Sequence, residues 1–180
     1  MTVEARLEIR YLVSRAEDIE FPPDSFDVVS AGQSWMYFDA HILVPKLRRM
    51  LKDRGRLVLT HLNWLPRKDP IARQSEALVL KFNPLWTGAD YDGETPQQLL
   101  ESLTAFRLTK FQTYESALPF SRESWRGRIR ACRGIGASLP TDQALAFDRE
   151  HAALLEKIAP QQFTILHQTV LHILENRKSQ

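Results

Sequence analysis

Cysteine and glycine are both scarce in this chain of 180 residues. The single cysteine, Cys132, excludes an internal disulfide and a metal site built from several thiolates. Glycine occurs 7 times, about 4% of the residues against an average near 7%. The first glycine is Gly32, so no glycine-rich phosphate or nucleotide loop can lie before that position.

Strong net charge and long apolar runs are also missing. With 24 Lys and Arg against 22 Asp and Glu, the net charge of +2 is too small to attract nucleic acid or an acidic membrane. No apolar run reaches the roughly 20 residues of a membrane span, and residues 1–10 carry charges where a signal peptide needs an apolar stretch. These absences predict a cytoplasmic protein with no nucleic-acid or membrane partner.

The pattern of apolar residues predicts one α/β domain over residues 1–180, since a typical domain has about 150 residues. A helical pattern of Leu43, Leu47, Met50 and Leu51 separates two β-rich runs, which predicts a βαβ unit with parallel pairing. The β-rich runs near the amino end are 9–15, 26–31 and 55–61. Further on we expect a helical insertion at 66–92, helices at 96–103, 121–132 and 141–158, and strands at 106–118 and 163–174.

Two segments carry a family resemblance. Residues 15–31 read RAEDIEFPPDSFDVVSA, the aromatic-rich stretch with Gln33, Trp35, Phe38 and Asp39 follows, and residues 51–58 read LKDRGRLV. This order resembles S-adenosylmethionine-dependent class I methyltransferases of the small-molecule, trans-aconitate-methyltransferase-like type. The resemblance implies a Rossmann-like fold, a mixed and mostly parallel sheet with helices on both faces, and S-adenosyl-L-methionine as cofactor. The implied activity is methyl transfer to a small molecule, with a carboxylate-bearing acceptor as one candidate.

The resemblance places the adenine end of the cofactor at Ala16, Glu17 and Asp18. A turn after a strand end exposes backbone N–H groups and acidic side chains together, which suits the ring nitrogen and exocyclic amine of adenine. The alternative is that Glu17 and Asp18 are solvated turn residues.

The loop after the second β-rich run is the other part of the expected cofactor site. Open α/β sheets bind ligands at the carboxyl ends of their strands, which predicts cofactor contacts from Gln33, Ser34 and Trp35. The rings of Trp35 and Tyr37 could attract a sulfonium cation, and Tyr37 is also a candidate substrate contact. Packing in the core is the alternative for both rings.

The remaining candidates concern the methyl acceptor. His61 and Asp39 are candidate proton acceptors, with a structural role as the alternative for His61. Trp64 and Trp86 bracket the insertion and could form walls of an acceptor pocket, or could simply pack. An arginine stripe on one expected helix could bind an anion through Arg126, or could be a solvated face paired with acids; its members are Arg122, Arg126, Arg130 and Arg133.

Relative to the resemblance, the glycine-rich motif and the first two strands are absent from this sequence. We therefore expect an incomplete methyltransferase fold that is N-terminally truncated and, as an isolated chain, impaired in cofactor binding. The alternative is a non-catalytic, methyltransferase-like interaction module. In that case a homodimer or a complementing chain would cover the exposed edge of the sheet.

Overall fold

A computed structural model describes residues 9–95, 99 and 103–178. Within these residues the chain forms a four-stranded sheet in the order β1-β2-β4-β3. The strands are β1 (Phe26–Gly32), β2 (Leu51–Trp64), β3 (Arg107–Ser121) and β4 (Gln162–Glu175). The helices are α1 (Ala40–Met50), α2 (Pro70–Phe82), α3 (Arg122–Arg130) and α4 (Thr141–Ile158).

The sheet is mixed, as expected. β1 pairs with β2 in parallel, whereas β4 pairs antiparallel with both β2 and β3. β1, β2 and β3 therefore run in one direction and β4 in the other. Two of the three pairings are nevertheless antiparallel, because the reversed strand β4 lies between β2 and β3.

Helices cover both faces of the sheet, as the resemblance implied. Leu57 and Leu59 of β2 pack in one core cluster with the buried side chains of α1, whereas Trp64 packs in a second cluster with side chains of α2, α3 and α4. Side chains alternate between faces along a strand, so Leu57 and Trp64 point to opposite faces. The two clusters therefore lie on opposite sides of the sheet.

Short polar side chains start the two helices nearest the carboxyl ends of β1 and β2. The Asp39 carboxylate accepts the backbone N–H of His41 at 3.0 Å, which caps α1. The Asp69 carboxylate accepts the N–H groups of Ile71 and Ala72, each at 3.0 Å, and its second oxygen accepts Leu166 N–H at 2.9 Å. Asp69 thus caps α2 and ties its start to β4.

One expected strand does not form. Residues 9–15 form no regular secondary structure and pair with none of the described strands, and Ile9 and Val13 are 60% and 107% exposed. The prediction of a buried strand here was wrong because β propensity alone does not supply a neighbouring strand for the backbone N–H and C=O groups. Most of the helix expected at 96–103 lies outside the described residues. No described helix is both long and apolar enough to cross a lipid bilayer.

His151 makes folding sensitive to acid. It is completely buried, its Nε2 lies 3.0 Å from Ser75 Oγ, and burial lowers its pKa from 6.5 to about 4. The unfolded chain therefore takes up this proton at a higher pH than the folded chain, so stability is lost as pH falls from about 6.5 to about 4. The shift is worth roughly 3 kcal/mol of unfolding free energy.

We expect the unfolding free energy of His151→Gln to fall less steeply than that of the wild type as the pH is lowered. Urea unfolding of wild type and variant between neutral pH and the acid end of this window measures the two slopes. Equal slopes would show that His151 does not carry the acid sensitivity, whatever the absolute stability of the variant.

Candidate functional site

The loop after β1 is fixed against the end of β2 by Gln33. Its backbone N–H donates to Thr60 O at 2.8 Å, its side-chain oxygen accepts Leu62 N–H at 2.6 Å, and its Nε2 donates to Asn63 Oδ1 at 3.0 Å. Gln33 has a φ of 56°, in the left-handed region that is unusual for a residue with a side chain. The three hydrogen bonds offset the cost of this conformation and set the path of the loop.

The Ala16–Asp18 turn meets the same loop. The Glu17 carboxylate is 9% exposed and accepts the backbone N–H of Asp39 at 2.9 Å, which holds the pKa of Glu17 below its usual value. Ala16 packs against the cluster that contains Trp35. Asp18, by contrast, is exposed and makes no side-chain hydrogen bond or ion pair to any described residue. The two acids of the turn therefore differ: Glu17 is structural, and Asp18 is open to a ligand.

A cavity of about 1060 Å³ lies beside the carboxyl ends of β1 and β2. Gln33, residues 35–38 and the end of β2 form part of the lining, together with Glu76 of α2, residues from the 83–91 segment and the end of α3. Aromatic and polar side chains both line it, among them Gln33, Trp35, Tyr37, His61, Asn63, Trp64, Glu76, Trp86, Arg128, Cys132 and Arg133.

His61 is a buried polar group without a described partner. It is 5% exposed, lines the cavity, and neither ring nitrogen has a hydrogen-bond partner among the described residues. Burial lowers the pKa of His61, and the neighbouring His172 lowers it further. Both nitrogens are almost inaccessible to solvent, so the imidazole must rotate or shift to exchange a hydrogen bond with a molecule in the cavity.

Glu76 holds the far side of the cavity together. Its carboxylate accepts Trp64 Nε1–H at 2.5 Å and the backbone N–H of Asp90 at 2.8 Å. Burial raises the pKa of Glu76. These bonds connect α2 to the end of β2 and to the segment that follows α2, so the Trp64 ring is fixed in the cavity wall.

The arginines at α3 fall into two sets. Arg126 and Arg130 both pair with Asp148 of α4, at 2.6 and 3.1 Å, and Arg122 donates to the backbone oxygen of Ala159. Arg128 and Arg133 instead line the cavity, with guanidinium carbons 4.8 Å from the Trp64 ring centre and 4.9 Å from the Tyr37 ring centre.

The structure brings half of the predicted site residues to the cavity. Those that line it are Gln33, Trp35, Tyr37, His61, Trp64 and Trp86. Ser34 and the Ala16–Asp18 turn lie outside the lining, although the Glu17–Asp39 hydrogen bond attaches the turn to the loop. Asp39 caps α1 and also lies outside it.

Arg126 lies outside the cavity lining and forms an ion pair with Asp148. This agrees with the alternative stated above, a helix face whose arginines pair with acids. Four lining residues were not predicted from the sequence as site residues: Asn63, Glu76, Arg128 and Cys132. Arg133 was named only as a member of the arginine stripe. For Arg128 a signal was available, since helical spacing places it three positions after the apolar Trp125. In the described residues, no three His, Cys, Asp or Glu side chains come together as a metal site would require.

Comparison with known proteins finds a family match over part of the chain and a shared fold. Residues 2–59 match the family model of a methyltransferase domain. The fold is similar to that of a protein described as a Type II methyltransferase from Anaeromyxobacter dehalogenans, with a TM-score of 0.53 and 17% identity over 93% of this chain and 71% of that one. A protein described as a methyltransferase from Bacillus halodurans C-125 gives a TM-score of 0.50 and 16% identity over 94% and 78%.

No curated protein matches the chain. The family match over residues 2–59 and the two structural likenesses confirm the resemblance to class I methyltransferases. The described chain has a Rossmann-like methyltransferase fold.

The contrast between Glu17 and Asp18 gives a testable prediction. Glu17→Ala removes the acceptor of the Asp39 amide and should lower the urea midpoint of unfolding, because the carboxylate bond joins the turn to the start of α1. Asp18→Ala is the matched control and should leave the midpoint unchanged, since its side chain has no described partner. Equal effects of the two substitutions would contradict the structural role of Glu17.

Proposed function

We propose that this chain functions in S-adenosylmethionine-dependent methyl transfer to a small-molecule acceptor bound in the cavity. The observation that carries the proposal is the methyltransferase-domain match over residues 2–59, which includes the Ala16–Asp18 turn, the loop at the cavity and most of β2. The size of the cavity, about 1060 Å³, is in the range of small-molecule sites or slightly above it.

The cofactor would be held by Ala16, Glu17, Asp18, Gln33, Ser34 and Trp35. S-adenosylmethionine supplies a methyl group on a sulfonium that is already a good leaving group. The residues present fit the adenine end, because the exposed Asp18 carboxylate is free to accept from an amine and the buried Glu17 carboxylate fixes the turn. They fit the cationic end through the aromatic ring of Trp35 at the cavity, whereas the Tyr37 ring already lies against the Arg133 guanidinium.

His61 is the residue we propose as proton acceptor from the methyl acceptor. It is neutral near physiological pH, since burial lowers its pKa, and its ring nitrogens are unoccupied by described partners. The second predicted acceptor, Asp39, uses its carboxylate to cap α1. The aromatic walls and Arg128 position the acceptor and limit its contact with water, which is the main requirement of methyl transfer.

The isolated chain should bind the cofactor weakly, because no glycine precedes Gly32 to allow close backbone approach. Calorimetric titration of S-adenosylhomocysteine into the chain measures this. We expect an affinity weaker than micromolar, and a further loss of about tenfold for Asp18→Ala, the value of one charge-assisted hydrogen bond.

The matched control for this titration is Asp142→Ala, which removes an exposed acid at the start of α4. It should leave the affinity unchanged. Micromolar binding by the isolated chain would contradict the expected impairment, and complete absence of binding would contradict the proposed cofactor.

One observation favours a second candidate, a non-catalytic module that pairs with a second copy. β1 is an edge of the described sheet, and Val28 on this strand is 53% exposed. An exposed strand edge invites pairing with another chain. A dimer by light scattering that Val28→Lys converts to a monomer would support this candidate, and a monomer at all concentrations would contradict it.

A further inference from the structure

We propose that the cavity recognises its small-molecule ligand through an anionic group, a carboxylate or a phosphate, held by Arg128 and Arg133. The inference rests on the proposed function in one respect, that this ligand is the methyl acceptor. Binding of the anion itself depends on the two arginines and the walls of the cavity.

The first support is the contrast between paired and unpaired arginines on one short stretch of chain. Arg126 and Arg130 share the Asp148 carboxylate, which is largely buried. Arg128 and Arg133 form no ion pair with a described carboxylate, and neither guanidinium donates a hydrogen bond to a described residue. Two sets of N–H donors in fork geometry therefore remain for a carboxylate or phosphate at the cavity.

The second support is the charge of the cavity wall. Glu76 is the only Asp or Glu among the described lining residues. Its carboxylate already accepts the indole of Trp64 and the amide of Asp90, and burial raises its pKa. Among the described residues Glu76 forms no ion pair with Arg128 or Arg133, and a bound anion would supply their counter-charge.

The third support is that both guanidinium groups are held in place. Each lies over an aromatic ring of the same cavity, Arg128 over Trp64 and Arg133 over Tyr37. Stacking on an aromatic face restricts a flexible arginine side chain and leaves its N–H edge available for hydrogen bonds.

The remaining described lining combines aromatic side chains, such as Trp86 and Phe38, with uncharged polar ones, such as Asn83 and Thr87. The ligand class that fits is therefore an organic anion with a flat or apolar body, and inorganic anions alone would use only part of the site.

The test compares a carboxylate with its neutral analogue in the absence of any cofactor. Phenylbutyrate and phenylbutanol are titrated separately into the full chain, followed by NMR or calorimetry, and phenyl phosphate is a third probe. We expect phenylbutyrate to bind more tightly than phenylbutanol, and Arg128→Gln to weaken phenylbutyrate by about tenfold or more without changing the alcohol. The ratio of phenyl phosphate to phenylbutyrate affinity distinguishes a phosphate site from a carboxylate site.

Arg130→Gln is the matched control, because it removes the same charge from the same helix at a residue already paired with Asp148. It should change the affinity for phenylbutyrate by less than about twofold. Equal loss in the Arg130 and Arg128 variants, equal affinity for acid and alcohol, or no binding of any probe would overturn the inference. If Arg128→Gln does not fold, Arg133→Gln, at an exposed position, provides the same comparison.

Failure of this inference and failure of the proposed function are distinguishable. Titration of S-adenosylhomocysteine into the same samples reports on the cofactor alone. Probe binding that depends on Arg128, without any cofactor binding, would support the anion site and contradict methyl transfer. Cofactor binding together with equal affinity for phenylbutyrate and phenylbutanol would support the proposed function and contradict the anion site.

Discussion

The parallel pairing of β1 with β2 is the constraint on which the candidate site depends. It places Gly32 beside Thr60, so that the loop after β1 and the last residues of β2 leave the sheet at the same end of the strands. Gln33 then bonds to Thr60, Leu62 and Asn63 in a backbone conformation that few non-glycine residues adopt. If β1 paired antiparallel, its carboxyl end would lie at the opposite end of the sheet from His61. The loop after β1 and the end of β2 would then not line the same cavity.

Around this edge the acidic side chains divide into structural and available groups. Glu17, Asp39, Glu76 and Asp148 each accept a hydrogen bond or ion pair that fixes one element to another or begins a helix. The groups that remain for a ligand are Asp18 at the turn and His61, Arg128 and Arg133 at the cavity. A buried polar group without an internal partner is costly, so we propose that a ligand uses these groups.

The sequence was most informative where the period of the apolar residues decides the structure. Helix α4 begins and ends at the expected Thr141 and Ile158, and β1 and β4 differ from expectation by one residue at their ends. The failure at residues 9–15 concerns pairing, which depends on which strand lies alongside and is not encoded locally. The arginine stripe shows a related limit: helical spacing separates Arg126 from Arg128, but that Asp148 of α4 pairs with Arg126 depends on how the helices pack.

The most direct test of the account is chemical-shift mapping of S-adenosylhomocysteine on the isotope-labelled chain, because NMR detects weak binding and locates it by residue. If the cofactor binds as proposed, the largest amide shifts fall at residues 16–18 and 33–35, on the turn and loop that the Glu17–Asp39 hydrogen bond joins. Shifts confined to the far side of the sheet, around β3, would contradict it.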